Sequence, residues 1–163
     1  MTGIVATSYG LNHNPAYAGM VADGELANII SKLNVSDVVI RYGAAVIRDG
    51  ETGARYPADD GIPNSFVGVA VRELNRSYMD GQFFGAVSKK DFSVMTVGVI
   101  WVRAAEAVTL NAPAFYRVGD DGLGDFAMAA GAGDTLAIAI PNAKFVTAGA
   151  AGSLVKLSIV VGG

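Results

Sequence analysis

The sequence predicts an all-β fold, a sandwich or barrel, with one short N-terminal helix and an extended N-terminal arm. Three observations carry the prediction. First, Phe92 to Ala104 reads Phe-Ser-Val-Met-Thr-Val-Gly-Val-Ile-Trp-Val-Arg-Ala. It is rich in β-branched and aromatic residues and apolar on both alternating faces, as a strand covered on both sides must be. Second, shorter apolar runs elsewhere are separated by turn clusters such as Asp49-Gly-Glu-Thr-Gly and Gly119-Asp-Asp-Gly-Leu-Gly-Asp, giving about eight to ten strands. Third, helical periodicity is confined to one stretch, Asp23 to Leu33.

Taken in order, Thr2 to Tyr17 mixes Gly, Asn and Pro with Tyr9, Leu11, Pro15 and Tyr17 and has no regular period. It reads as an arm (residues 1–17) ahead of a single β domain (residues 18–163). A frayed end is the plainer alternative, but aromatic anchors suit a segment that orders on a neighbouring subunit. In Asp23 to Leu33, Leu26, Ile29, Ile30 and Leu33 fall at i, i+3, i+4 and i+7. That stripe predicts a helix capped by Asp23 and ended by Asn34, dependent on packing because it is short.

Val38 to Ile47 then reads as one strand bent at Gly43. Asp49 to Ser65 is a turn-rich excursion, Phe66 to Val71 a strand, Arg72 to Gly81 a loop, and Phe83 to Val87 a brief strand. Past the central strand come strands at Glu106 to Asn111 and Pro113 to Val118. The latter makes a hairpin to Phe126. Thr135 to Ile140 follows, and a terminal hairpin joins Lys144–Thr147 to Leu154–Val161. On the central strand, Val97, Val99, Ile100 and Trp101, the only tryptophan, are the predicted core.

Composition excludes several functions. Charged residues make up 17% of the 163-residue chain, against about 25% in ordinary domains, so the surface is poorly defended against association and a protein partner is expected. A net charge of −3 with no basic run beyond Lys89-Lys90 argues against nucleic acid. No apolar run reaches the ~18 residues of a membrane helix, and no signal-peptide pattern opens the chain, so a soluble protein is expected. Without cysteine there are no disulfides or thiolate metal sites.

No catalytic constellation emerges. The one histidine, His13, lies in the arm, where nothing holds it rigid for Ser-His-Asp chemistry. Asp120, Asp121 and Asp125 lack the distal glutamate of a calcium loop and read as a solvated turn. Asp59-Asp60 is a turn signal, and the glycines from Gly131 lead into a strand rather than a helix, which fails the dinucleotide fingerprint. Neither catalysis, nor a metal, nor a cofactor is expected.

The order of Ala16-Tyr-Ala-Gly-Met-Val-Ala-Asp, Tyr42-Gly-Ala-Ala-Val, Phe66-Val-Gly-Val-Ala-Val, Val94-Met-Thr-Val-Gly-Val-Ile-Trp-Val and Phe145-Val-Thr-Ala-Gly-Ala-Ala-Gly-Ser-Leu-Val-Lys-Leu resembles the cement, or decoration, proteins of tailed-bacteriophage heads. The resemblance spans Ala16 to the C-terminus. It implies a β-sandwich or jelly-roll-like fold, no catalysis, and a place in the virion on the capsid exterior. The implied partners are the major capsid protein and further copies of the chain, as a homodimer or homotrimer. The alternatives are a carbohydrate- or receptor-binding sandwich, for which Tyr78, Phe83 and Phe84 are the candidate platform, and a hydrolase, against which the single histidine argues.

Overall fold

The long apolar stretch becomes the longest strand among the described residues and the hub of the nine-stranded main sheet. The computed structural model describes residues 16–58, 65–73, 78–80 and 83–161, with backbone alone for 78–80 and 83–84. In chain order the strands are β1 (Asn28–Asn34), β2 (Ile40–Arg41), β3 (Ala45–Asp49), β4 (Gly53–Arg55), β5 (Phe66–Ala70), β6 (Tyr78–Asp80), β7 (Phe83–Ala86), β8 (Asp91–Arg103), β9 (Pro113–Arg117), β10 (Phe126–Ala127), β11 (Ala137–Phe145) and β12 (Leu154–Val160). Among the described residues a single 3-10 turn lies at Gly133–Thr135. Among the described residues no helix is long and apolar enough to cross a membrane.

The main sheet closes on itself. β1, β4, β3, β5 and β8 pair in succession, and β8 returns to β1 through Ile30–Val94 and Lys32–Phe92, so these five strands form a barrel. β8 is long enough to serve a second ring with its other half. There it pairs with β12 from Val97 to Arg103, and β11, β9 and β10 follow. A parallel bridge from Ala104 to Phe126, with the Ala105 N–H donating to the Phe126 carbonyl at 2.7 Å, completes that ring. A small sheet of β2, β7 and β6 sits beside the first ring.

The two halves of β8 feed two cores. Val46, Ala54, Val67, Ala70, Phe92 and Val94 meet in one cluster, which fills the first ring. Ile100, Val102, Tyr116, Phe126, Phe145 and Leu157 form the larger core of the second ring, against Ala45, Ile47, Val69 and Met95 from the other side of the first. In a regular strand, Met95 and Ile100 would point to opposite faces. They share one core because Gly98, at φ +136°, lets the strand rotate there, opposite a register shift between Asn28 and Ile29. A Cβ at Gly98 would stand 3.0 Å from Met95 Sδ and 3.3 Å from Ala27 Cβ.

The expected helix over Asp23 to Leu33 is corrected. Residues 28–34 are β1, antiparallel to β8 from Asp91 to Val97. An isolated helix of this length is marginal, and Ile29-Ile30 is β-branched. Pairing along half of β8 therefore outweighs the stripe, and Leu26 is left outside any element. Asn34 ends no helix either. It is fully buried, and its side-chain amide donates to the carbonyls of Val38 (2.9 Å) and Ala86 (3.1 Å) while its oxygen accepts from Ser36 Oγ (2.6 Å).

Other elements differ in detail. Val38 to Ile47 divides into β2 and β3, which belong to different sheets, and the break falls at Gly43 with φ +79°. The excursion after Asp49 contains β4, and the loop after Arg72 contains β6. Glu106 to Asn111 holds only an isolated bridge from Val108 to Gly149. Barrel closure is the architecture observed, and this strand order does not establish jelly-roll connectivity. Of the predicted core residues, Ile100 and Val99 are buried, whereas Val97 and Trp101 are half-buried. Trp101 is outward of the second core, with the Lys156 ammonium 5.5 Å from its ring centroid.

Candidate interaction surface

The chain enters the body as an added edge on β8. The Gly19 and Ala22 N–H groups donate to the Trp101 and Val99 carbonyls at 2.7 and 2.8 Å, and the Trp101 N–H donates to Met20 at 2.9 Å. Glycine makes this docking possible. Gly19 has φ +84°, and a Cβ there would lie 2.8–2.9 Å from Gly43 N, Ala70 O and Arg72 N. Only a residue without a side chain allows the backbones this close. Ala16 is already buried, and the Arg72 guanidinium lies 4.5 Å over the Tyr17 ring. Lys156 Nζ binds Asp23 at 2.7 Å and ties down the following loop.

The same segment carries an uncovered apolar surface. Five of the nine large apolar residues exposed among the described residues fall in it: Tyr17, Met20, Val21, Leu26 and Ile29. Scattered exposed apolar residues are ordinary. Five within thirteen consecutive positions, with Leu26 94% exposed, make this stretch the candidate contact surface.

The buried charged groups among the described residues are paired. Asp125 faces Arg41 Nη2 at 3.1 Å, and the same nitrogen donates to the Leu123 carbonyl at 2.8 Å. Burial pushes the Asp125 carboxyl above the usual range, against the opposing pull of Arg41 and Arg103. Buried Arg117 pairs with Glu106 at 3.3 Å, and that carboxylate also accepts from the Met128 and Ala129 N–H groups. These ions serve inter-strand structure. Among the described residues no three metal-ligating side chains converge. Asp120 and Asp121 lie in the turn before β10, and Asp125 is engaged by Arg41.

Of the residues proposed for the arm interface, Tyr17 sits half-exposed at the arm's root. Tyr9, Leu11 and Pro15, like His13 and Asp59-Asp60, lie outside the described residues, as do the side chains of Tyr78, Phe83 and Phe84. Sequence reasoning missed Met20, Val21, Leu26 and Ile29 as surface residues. Leu26 and Ile29 had been assigned to the buried stripe of a helix. The available signal was the flanking Asp23-Gly24, which favours a turn over a helical start.

The described residues thus form a closed all-β body with ion pairs between its strands and an exposed apolar stretch at its N-terminal edge. A family model described as "Structural cement protein (E217 gp24/Pam3 gp6)" matches residues 5–160, and the chain belongs to that family of phage structural proteins. Among solved structures, a chain from "The capsid of Myoviridae Phage XM1" is similar with a TM-score of 0.75 and 16% identity, covering 97% of this chain and 98% of that one. At that identity the likeness concerns the fold. A chain from the head fibre gp8.5 N base of bacteriophage phi29 is more distant, with a TM-score of 0.39 and 15% identity over 81% of this chain and 94% of that one. No curated protein matches the chain.

Proposed function

We propose that this protein binds the outer surface of a phage capsid lattice, as a small homo-oligomer, and stabilises the head. The observation that carries the reading is the exposed apolar segment from Tyr17 to Ile29, which is held by backbone hydrogen bonds to β8 rather than free to collapse. A body that is rigid up to the edge of its contact segment loses little further entropy there on docking. Membership of a phage structural cement family supports association with the capsid, and in this reading the partner is the major capsid protein. Repetition over a closed lattice multiplies modest contacts into a large total resistance to internal pressure.

The arm of residues 1–17 continues this segment, and in this reading Tyr9, Leu11, Pro15 and Tyr17 anchor it between neighbouring subunits. The test is to mix the purified chain with empty, expanded phage heads and count the copies retained per capsomer. Saturation at a fixed number per capsomer supports the reading. Retention that rises without limit, or none, opposes it.

A further inference from the structure

The two rings part company at one point and leave a crevice of about 620 Å³. On one edge of β8, β5 pairs only at Val69–Met95 and Ala70–Val94, and β12 takes over that edge from Val97, so β5 and β12 diverge there. Among the described residues β11 pairs with β12 only at Lys144–Ser158 and Phe145–Leu157, because Asn142 turns the strand with φ +58°. The crevice is thus walled by strand edges, with Thr96, Val97, Pro141, Asn142, Val160 and Phe66 around it. Among the described residues its only charged lining residue is Arg48, and Val160 is about half-exposed at its rim.

We infer that this crevice receives the N-terminal arm of a second copy of the chain, added as a strand. The inference rests on the proposed role of the arm and names the site where it docks. Three observations converge. The slot is bounded by strand edges, and extended peptides bind such edges through the main chain with alternate side chains in pockets. Thr2 to Pro15 contains no Asp, Glu, Lys or Arg, so it can enter a nearly uncharged slot without stripping water from ions. It also contains Ile4-Val5, Thr7 and Tyr9, residue types that suit a strand. The family match begins at residue 5, so the arm is part of the family's pattern and not an appendage to it.

Chain direction selects the neighbour over the same molecule. Val21 pairs antiparallel with Ile100, and the hydrogen bonds step from Ala22–Val99 to Gly19–Trp101. Followed toward Ala16, the chain therefore runs along β8 away from Thr96 and Val97, where the crevice opens. Residues 1–15 span at most about 50 Å when extended, which is ample to reach an adjoining copy.

The test uses the absence of cysteine. Full-length Val5→Cys and Val160→Cys chains are mixed one to one with oxidised glutathione and run on a non-reducing gel. The expected result is a disulfide-linked pair of unlike chains, at least tenfold more abundant than when Leu110→Cys, exposed elsewhere, replaces Val160→Cys. Val160→Arg, which changes only a rim side chain, should reduce self-association tenfold or more by sedimentation while the thermal transition stays put. Equal yields from the Val160→Cys and Leu110→Cys mixtures would overturn the inference. So would a bond formed only inside the doubly substituted Val5→Cys/Val160→Cys chain, since that outcome places the arm in its own crevice. No capsid is present in this assay, so its failure leaves head binding to be judged on its own measurement.

Discussion

Replacing Asn34 separates the observed strand from the helix its sequence pattern suggested. In the structure the side chain is fully buried and bridges two connections. Asn34→Gly removes the donor to Ala86 O inside the protein and to Val38 O nearer its edge, and removes the acceptor for Ser36. Val38 O retains Ser36 Oγ at 3.1 Å, so its loss is partial. A buried group left without a partner costs about 1–3 kcal/mol, which gives a total of ~2–4 kcal/mol here. With an m-value of about 2 kcal/mol/M the urea midpoint should fall by roughly 1–2 M. Trp101, the sole tryptophan, reports the transition by fluorescence from β8. Were residues 23–33 a helix ended by Asn34, glycine at that position would be neutral or favourable. A midpoint unchanged or raised in Asn34→Gly would refute the strand assignment and the bridging role together.

Further outcomes follow from the same contacts. Ile100→Ala should cost about 2–5 kcal/mol as a core cavity, and Trp101→Ala distinctly less because that side chain is only partly buried; equal losses by denaturant titration would put Trp101 in the core after all. Gly19→Ala forces a Cβ onto three backbone atoms at φ +84°, so it should lower the thermal midpoint by several degrees and loosen the arm's root, as read by proteolysis at Ala16 to Ala22. Asp125 has a folded pKa raised above its unfolded value, so its contribution is fully present below the ordinary carboxylate range (~3.9) and is lost as pH rises through the raised value. Asp125→Asn should therefore gain stability relative to the parent on going from pH 4 to pH 7, whatever its constant offset. A relative loss over that interval would contradict the burial argument.

The all-β class and most strands were legible because local signals and tertiary demands agreed there. β8 needed cover on both faces and has it over most of its length, and the turns at Gly43 and around Gly119 to Gly124 fall where their residue types place them. The N-terminal stretch misled because its apolar spacing fits a helix while its pairing partner, β8, lies some sixty residues away, and non-local pairing leaves no periodic trace. Trp101 was misjudged because both faces of β8 were expected to be fully covered, whereas the outward face is left partly open at Val97 and Trp101. The contact segment was partly legible through Tyr17. Leu26 and its neighbours were hidden by the same mistaken stripe, and the crevice depends on where three strands diverge, which no single stretch encodes.

In the proposed function, the segment leading from the arm through Leu26 fastens this protein to a phage capsid. The most direct measurement is the affinity of fluorescently labelled chain for empty, expanded heads, comparing the parent with Leu26→Asp. Leu26 is almost fully exposed, so the substitution should leave the thermal transition of the free protein unchanged. Placing a carboxylate in a desolvated contact should weaken head binding by well over tenfold, more than ~1.4 kcal/mol. Equal affinity and equal copy number for the two chains would contradict the account.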